Sequence, residues 1–279
     1  MENKDLKDFA VFIMVHGRPE KMWTYHTLRK CGYTGKIFLI ADSLDETRHR
    51  YKEIYGDELV VFDKVLASKK YDTGDNTGDL RSTLFAANES FNIAKDLGLK
   101  NFCLMCDDYY YFGLRGEKGA TKLKDLDSVF VKMISFLETS KCKTIAFSQG
   151  GDHIGGFSGL KLKRKAMNSF ICSTDNKFEF IGRMNEDVTT YTHLGSKGDL
   201  FFTFTGVQLD QKDHQAEKKG GLSKMYIDNG TYTKSFFSLM YNPSNTKVKM
   251  MQTRNSSRIH HAISWKHATP MILDERFKK

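Results

Sequence analysis

The chain has 279 residues, 40% of them hydrophobic and 13% aromatic, which suffices for a full core and excludes a disordered protein. Lysine and arginine outnumber aspartate and glutamate by 43 to 34, a net charge of +9 that favours phosphate-rich partners, nucleic acid first, without bearing on fold. Five cysteines in mostly apolar surroundings suit a reducing compartment, and Met1-Glu2-Asn3-Lys4-Asp5 lacks the apolar stretch of a signal peptide.

Residues 9–15 form an apolar, β-branched-rich run closed by His16-Gly17-Arg18-Pro19, a strand followed by a turn. Residues 20–30 read as a helix, with Trp23, His26/Thr27 and Lys30 at helical spacing and Gly32 as the stop. Residues 36–41 predict a second strand, followed by Asp42; 45–55 a helix ended by Gly56; and 58–62 a third strand. The polar loop 71–79 has the composition of a calcium loop, but its acids miss the alternate positions such a loop needs. Residues 81–97 predict a long helix, and 102–106 a fourth strand.

This alternation predicts an α/β fold, a Rossmann-like, mostly parallel sheet flanked by helices on both faces. With three prolines and no Ser/Pro-rich stretch there is no linker, so one continuous domain is expected. The second half is less regular: a helix over 126–139, a strand over 144–147, a glycine-rich loop over 149–159 and a strand over 201–205. That loop lacks the endings of both a P-loop and a dinucleotide fingerprint, which leaves it as a loop over an acceptor site. Cys103 and Cys106 spell C-x-x-C, but three positions along a strand face opposite sides, and no second pair stands at zinc spacing.

The strand Phe102-Cys103-Leu104-Met105-Cys106 runs straight into Asp107-Asp108. In an open α/β sheet the C-terminal strand edge is where ligands bind, and carboxylates there suit a hard divalent cation that holds a diphosphate. The same pair also suits an ordinary polar turn. At the end of the first strand, Gly17 allows close backbone approach and Arg18 can take a phosphate or stack on a base, although a strand–helix turn with proline is common in its own right. Asp42 ends the second strand on the same edge. Arg81 opens the long helix, with Asn88 seven residues on, as a diphosphate contact or a surface ion pair.

Met184-Asn185-Glu186-Asp187-Val188 combines a helix N-cap with two acids in the first turn, where a carboxylate can also serve as a general base. Arg258-Ile259-His260-His261 begins a cluster of three histidines; alternation along a strand would turn His260 and His261 to opposite faces, so at most one of them can complete a metal shell begun by Asp108, and surface or packing histidines are the other reading. Lys161-Leu162-Lys163-Arg164-Lys165, Lys218-Lys219 and Lys224 are solvated faces, or, beside an acceptor site, contacts for DNA.

In one order, the strand with His16-Gly17-Arg18-Pro19, the run Leu28-Arg29-Lys30-Cys31-Gly32-Tyr33-Thr34-Gly35-Lys36-Ile37, Arg81 to Asn88, the Asp-Asp-Tyr strand end and Asn185-Glu186-Asp187 resemble the GT-A-type glycosyltransferases of bacteriophages, including those beside TET-like DNA oxygenases. The likeness spans roughly residues 9–273; the 28–37 run is its most specific stretch. It implies a nucleotide-sugar-binding half (1–110) and an acceptor-binding half (111–279). It further implies a UDP-sugar donor, with His16, Gly17, Arg18, Asp42, Arg81 and Asp107 on the nucleotide side. Asp108 would hold Mn²⁺ or Mg²⁺, and His261 or His260 would complete that site. Asp187, or Glu186, would be the base of an inverting transfer to a hydroxyl of modified DNA such as 5-hydroxymethylcytosine. Where such proteins often carry three aspartates in a row this chain has Cys106-Asp107-Asp108, which leaves the ribose or water-mediated metal contact without its usual carboxylate.

A glycosyltransferase acting on double-stranded DNA in the (host) cytoplasm, as a monomer or weak oligomer and without a membrane partner, is therefore the expected function. A glycan or protein acceptor keeps the fold and fits the charge less well. A nucleotidyltransferase would need a basic glycine-rich phosphate loop at the first strand, and a non-enzymatic DNA-binding protein would not need carboxylates gathered at one sheet edge.

Overall fold

A computed structural model describes residues 6–116, 119–149, 152, 160–161, 166, 169–211, 223–230, 232–252, 257–270, 272 and 275. The chain begins β1 (Phe9–Met14), α1 (Trp23–Lys30), β2 (Lys36–Asp42), α2 (Arg48–Tyr55), β3 (Leu59–Phe62), α3 (Lys64–Ser68), α4 (Leu84–Asp96) and β4 (Asn101–Cys106). It continues with β5 (Tyr109–Gly116), β6 (Gly119–Lys122), α5 (Leu126–Ser140), β7 (Thr144–Gln149), β8 (Leu160–Lys161) and β9 (Ser169–Ser173). The last part holds α6 (Glu186–Ser196), β10 (Phe201–Gln211), α7 (Ser223–Asn229), α8 (Thr233–Tyr241), β11 (Thr246–Gln252), β12 (Ser257–Ile263) and α9 (Trp265–Ala268). One sheet runs β3-β2-β1-β4-β9-β7-β10-β5-β6, with β8 beside β10, while β11 and β12 form a separate ribbon.

The mixed α/β architecture with a large central sheet is the one expected. β3, β2, β1 and β4 are parallel, so their C-terminal ends share one edge. Beyond them β9 enters antiparallel to both β4 and β7, and β10 is parallel to β7 but antiparallel to β5. Period-two alternation divides the core. Phe9, Val11, Ile13, Cys103 and Met105 point to one side, onto Leu28 of α1, Tyr51 of α2 and Phe130 and Leu137 of α5. Ala10, Phe12, Phe102 and Leu104 point to the other, onto Phe85 and Phe91 of α4 and Val188 and Tyr191 of α6. Cys106 lies against the same side as Cys103, so alternation does not reach the strand's last residue, and all five thiols are free. No helix among the described residues is long and apolar enough to cross a membrane.

The 28–37 run is a structural joint. At the end of α1, Gly32 N donates to Arg29 O (3.1 Å) and Tyr33 N to Leu28 O (3.0 Å), the paired bonds of a Schellman turn, with Gly32 at φ +84°. The turn docks on the start of α5: Leu126 N donates to Cys31 O (2.9 Å), and Asp127 accepts from Thr34 N (3.0 Å) and Thr34 Oγ1 (2.6 Å). Arg29 closes it by donating to the carbonyls of Tyr33 and Gly35.

Several elements differ from expectation. α1 starts at Trp23 and α2 at Arg48, three residues late in each case, because the strand-end turns occupy the earlier positions. α4 starts at Leu84, since Ser82 Oγ and the Asp79 carboxylate take the backbone N–H groups of Leu84 and Arg81. β10 runs to Gln211 rather than stopping at 205, because the register shift between Phe204 and Gln208 carries the strand through Gly206. Most of the glycine-rich loop at 149–159, most of the basic segment 161–165, and Lys218 and Lys219 lie outside the described residues.

The Schellman joint gives a stability test. A Cβ at Gly32 would strain the left-handed backbone, at a cost of about 1–3 kcal/mol, and would also run into Lys124 O. Gly98, at φ +69° with open space around it, carries the strain without the clash. Urea unfolding should show Gly32→Ala losing more stability than Gly98→Ala.

Candidate active site

The parallel strand ends are tied together by carboxylates. At the end of β1, His16 Nδ1 lies 3.2 Å from Asp42 Oδ2 at the end of β2, and Gly17 N donates to Asp45 Oδ2 (3.0 Å). Gly17 makes this approach at φ +70°. Asp42 is almost fully taken up by the protein: Oδ1 accepts from Leu44 N (3.0 Å), and Oδ2 also accepts from the buried Lys64 Nζ (2.9 Å). Burial works to raise the Asp42 carboxyl, but His16 and Lys64 outweigh it and bring it down to about 2. The Asp42 bond in turn raises His16 above its ordinary 6.5, against the effect of burial.

Arg18 points to the neighbouring strand end. Its backbone N donates to the Tyr51 hydroxyl (3.0 Å), and its Nη2 donates to Asp107 Oδ1 (2.7 Å). Asp107 and Asp108 are 2% and 1% exposed. Thr24 clamps the turn that carries them: its Oγ1 donates to Cys106 O (2.6 Å) and accepts from Tyr109 N (2.9 Å), and its N donates to Asp107 O (3.1 Å). Asp108 Oδ2 accepts from Gln211 Nε2 (2.7 Å) at the far end of β10. Burial pushes the Asp108 carboxyl up to about 6, in spite of Gln211 and Arg18.

The second acidic pair comes to the same place. Glu186 and Asp187 start α6, and the buried Tyr109 phenol feels both Asp108 and Asp187, while the Cys106 thiol feels Asp108, Asp107 and Glu186. Asn185 occupies the cap position, but in a left-handed conformation (φ 58°) and without a side-chain cap bond. Its amide instead donates to Ser238 Oγ (2.6 Å) on α8 and lies 3.4 Å from His261 Nδ1 on β12. The expected capping role is therefore replaced by a tie to the C-terminal elements. Glu186 hydrogen-bonds Thr83, and burial together with the Asp187 charge raises its carboxyl.

A salt-bridge network fixes this junction. The buried Arg183 pairs with Asp75 (2.7 Å) and Asp79 (3.1 Å), and Ser82 Oγ donates to Arg183 O (2.7 Å). The calcium-like loop thus spends its acids on an arginine. Arg81, placed before α4 rather than in it, pairs with Asp79 (2.8 Å) and with Asp228 on α7 (2.5 Å). Asn88 exchanges both amide bonds with the backbone of Phe180 and is wholly buried. Sequence reasoning missed Asp45, Lys64, Arg183 and Gln211. Only Asp45 carried a signal, as a second acid just past a strand; the others act through contacts more than 20 residues apart in the chain.

His260 and His261 lie on β12 with ring centroids 4.1 Å apart, and their pairing opposite Lys249 and Val248 puts them on opposite faces of the ribbon, as alternation predicts. No group of three His, Cys, Asp or Glu side chains among the described residues forms a ready metal cage. A Mg²⁺-type cation is in general held through one or two carboxylates and completed by substrate phosphates and water. Asp108, an oxygen donor whose charge is disfavoured by burial, is the residue such a cation would satisfy.

The α/β sheet thus carries one acidic pair at the end of β4 and a second at the start of α6. Over residues 9–221 the chain matches the TET-Associated Glycosyltransferase family, and it belongs to that family; it is accordingly a glycosyltransferase. Solved structures resemble it at low identity. S. aureus TarS 1-349 in complex with UDP is 10% identical over 85% of this chain, with a TM-score of 0.45, and this chain spans 65% of that one. Glucosyl-3-phosphoglycerate synthase from Mycobacterium tuberculosis, with Mg²⁺ and UDP, is 9% identical over 91% of this chain and 87% of its own, at a TM-score of 0.44. The Pyrobaculum calidifontis mannosyltransferase PcManGT, with GDP-Man and Mn²⁺, is 8% identical over 85% and 74%, at 0.44. No curated protein sequence matches the chain.

The His16–Asp42 pair predicts a pH-dependent loss on mutation. A raised histidine contributes stability fully below about pH 6.5, and the contribution fades as pH rises through the raised value. The depressed Asp42 contributes above its ordinary 3.8 and loses its effect as pH falls towards about 2. Both partners are charged near pH 5, so His16→Ala should lower the melting temperature more at about pH 5 than at about pH 9.

Proposed function

We propose that this glycosyltransferase moves a sugar from a nucleotide-sugar, a UDP-sugar, to the hydroxymethyl group of 5-hydroxymethylcytosine in duplex DNA, with inversion at the anomeric carbon. What supports this reading is the family match, together with Asp107-Asp108 at the end of β4 and Glu186-Asp187 at the start of α6, both pairs near enough to Cys106 or Tyr109 for their charges to raise those groups. Residues 1–110 form the donor half, with His16, Gly17, Arg18, Asp42, Arg81 and Asp107 on the nucleotide side, and residues 111–279 form the acceptor half. Arg81 belongs there through its place beside α7, as part of the ion-pair network next to Glu186.

Asp108 would hold Mn²⁺ or Mg²⁺, with His261, or the adjoining His260, as the further ligand that family resemblance assigns. The cation would supply positive charge to the departing diphosphate. The chain's own residues do the rest. Asp107, fixed by Arg18, orients its neighbour Asp108. Asp187 takes the proton of the acceptor hydroxyl as its oxygen bonds to the anomeric carbon, while the bond from that carbon to the diphosphate breaks and the diphosphate leaves with the electron pair. Burial and the Asp187 charge raise the Glu186 carboxyl; Asp187 is taken as the base and Glu186 as its alternative. A flipped-out base costs a few kcal/mol of stacking, which contacts to the DNA backbone offset.

The test is incubation with Mn²⁺, a panel of UDP-sugars and 5-hydroxymethylcytosine duplex, followed by nucleoside mass analysis. A gain of one sugar residue is expected; no gain with any donor overturns the DNA acceptor. EDTA should abolish transfer and added Mn²⁺ restore it. Asp108→Ala and Asp187→Ala should each lower turnover by about 10²–10⁴-fold with unchanged circular dichroism, and Glu186→Gln should cost less than Asp187→Asn. Full activity in either alanine variant refutes its assigned role.

A further inference from the structure

Residues 229–273 contain no aspartate or glutamate, although 34 acids in 279 residues would place about five in a stretch of this length. The same stretch carries Lys234, Lys247, Lys249, Arg254, Arg258 and Lys266, and so supplies six of the chain's net nine positive charges. Its described part builds α8, the β11–β12 ribbon and α9.

The ribbon's pairing sorts these charges. Lys247 stands opposite Ala262, Lys249 opposite His260 and Met251 opposite Arg258, and residues opposite one another share a face. One face therefore carries Lys247, Lys249, His260 and Arg258, with Ala262 and the half-buried Met251 among them. Lys247 and Lys249 are exposed and form no ion pair with any described residue. The other face carries Val248 opposite His261 and Met250 opposite Ile259. Ile263 packs on the core and His261 reaches Asn185, so the ribbon is rooted beside the residue that precedes the Glu186-Asp187 pair. α8, in contact with both ribbon strands, turns Tyr232, Phe236 and Met240 to solvent at four-residue spacing.

We propose that the β11–β12 ribbon is the element that grips duplex DNA, its Lys247–Lys249–Arg258 face lying along the phosphate backbone next to the carboxylate site. The inference rests on the DNA-acceptor reading and gives it a location. A two-stranded ribbon is a shape that the major groove admits. Lys247 and Lys249, two residues apart on a strand, are about 7 Å apart, close to the rise of two nucleotides on one DNA strand. An anionic membrane fits less well, because the exposed Met250 and Ile259 lie on the face opposite the lysines, whereas a membrane surface would combine charge and apolar side chains on one face.

The experiment compares wild type with Lys247→Ala/Lys249→Ala, and with Lys247→Glu/Lys249→Glu, for duplex binding across a salt series and for steady-state transfer. Two lost phosphate contacts should flatten the slope of log K against log salt by about two and raise KM for DNA about 10- to 30-fold at 150 mM salt. kcat, donor KM and donor hydrolysis without acceptor should not change. Transfer to DNA with an unchanged slope and KM in both variants overturns the ribbon and leaves the acceptor reading standing. Salt-dependent duplex binding lost in the variants, without transfer by wild type, supports the ribbon and overturns the acceptor. Loss of binding to phosphatidylserine vesicles with DNA binding intact overturns the ribbon in favour of a membrane surface.

Discussion

The structure is organised around the cost of burying carboxylates at one sheet edge. Asp42, Asp45, Asp107, Asp108 and Asp187 are all less than a tenth exposed. A buried ionised carboxylate is tolerated only when paired or hydrogen-bonded. Four of them take a partner from a different element: Lys64 for Asp42, the Gly17 amide for Asp45, Arg18 for Asp107 and Gln211 for Asp108. Removing one partner would leave a buried charge uncompensated, so the strand ends behave as a single unit. The partners come from α3, the turn after β1 and the end of β10, which is why the edge needs the whole fold to form.

Arg183 plays the same part for the second acidic pair. Its guanidinium satisfies Asp75 and Asp79, its carbonyl accepts from Ser82, and the next residue in that turn, Thr83, meets Glu186. The loop at 71–83 and the turn at 181–187 are thereby fixed against each other by ion pairs, together with backbone bonds from Gly182 N to Asp72 O (3.0 Å) and Arg183 N to Thr73 O (2.7 Å). Hydrogen-bonded arginine–carboxylate pairs are directional, and that directionality sets where α6 begins. Asn185 adopts its left-handed backbone at this junction, and its side chain, turned away from capping, connects the carboxylates to α8 and the ribbon.

The first half of the fold was legible because each parallel strand is a short apolar run closed by a turn residue, and α1, α2 and α4 are each followed within two residues by a glycine. Asp107-Asp108 and Glu186-Asp187 were legible as acids at element ends. Their convergence was not, since it depends on β9 entering antiparallel between β4 and β7, a placement that no local pattern encodes. The misreadings have a common origin. Arg81 read as a helix start because helical propensity does not register that Asp79 and Ser82 claim the backbone around it. Asn185 read as a side-chain cap because its competing partners, Ser238 and His261, are more than 50 residues away. The strand read over 201–205 stopped short of Gln211 because a bulge is visible only against its neighbouring strand.

The same charge constraint accounts for Cys106. Burial and the charges of Asp108, Asp107 and Glu186 all raise its thiol well above the ordinary range, and Arg18 is the one group that opposes them. An aspartate in that position would meet the same burial and the same three acids. Arg18 already donates to Asp107, so a third carboxylate on this turn would have to share that cation or remain protonated. A neutral thiol avoids the conflict and still packs against the core cluster on the α1 and α5 side of the sheet. With the acid count at this turn held to two, Arg18 can be committed to Asp107, and Asp108 is left as the carboxylate whose burial a bound cation would relieve.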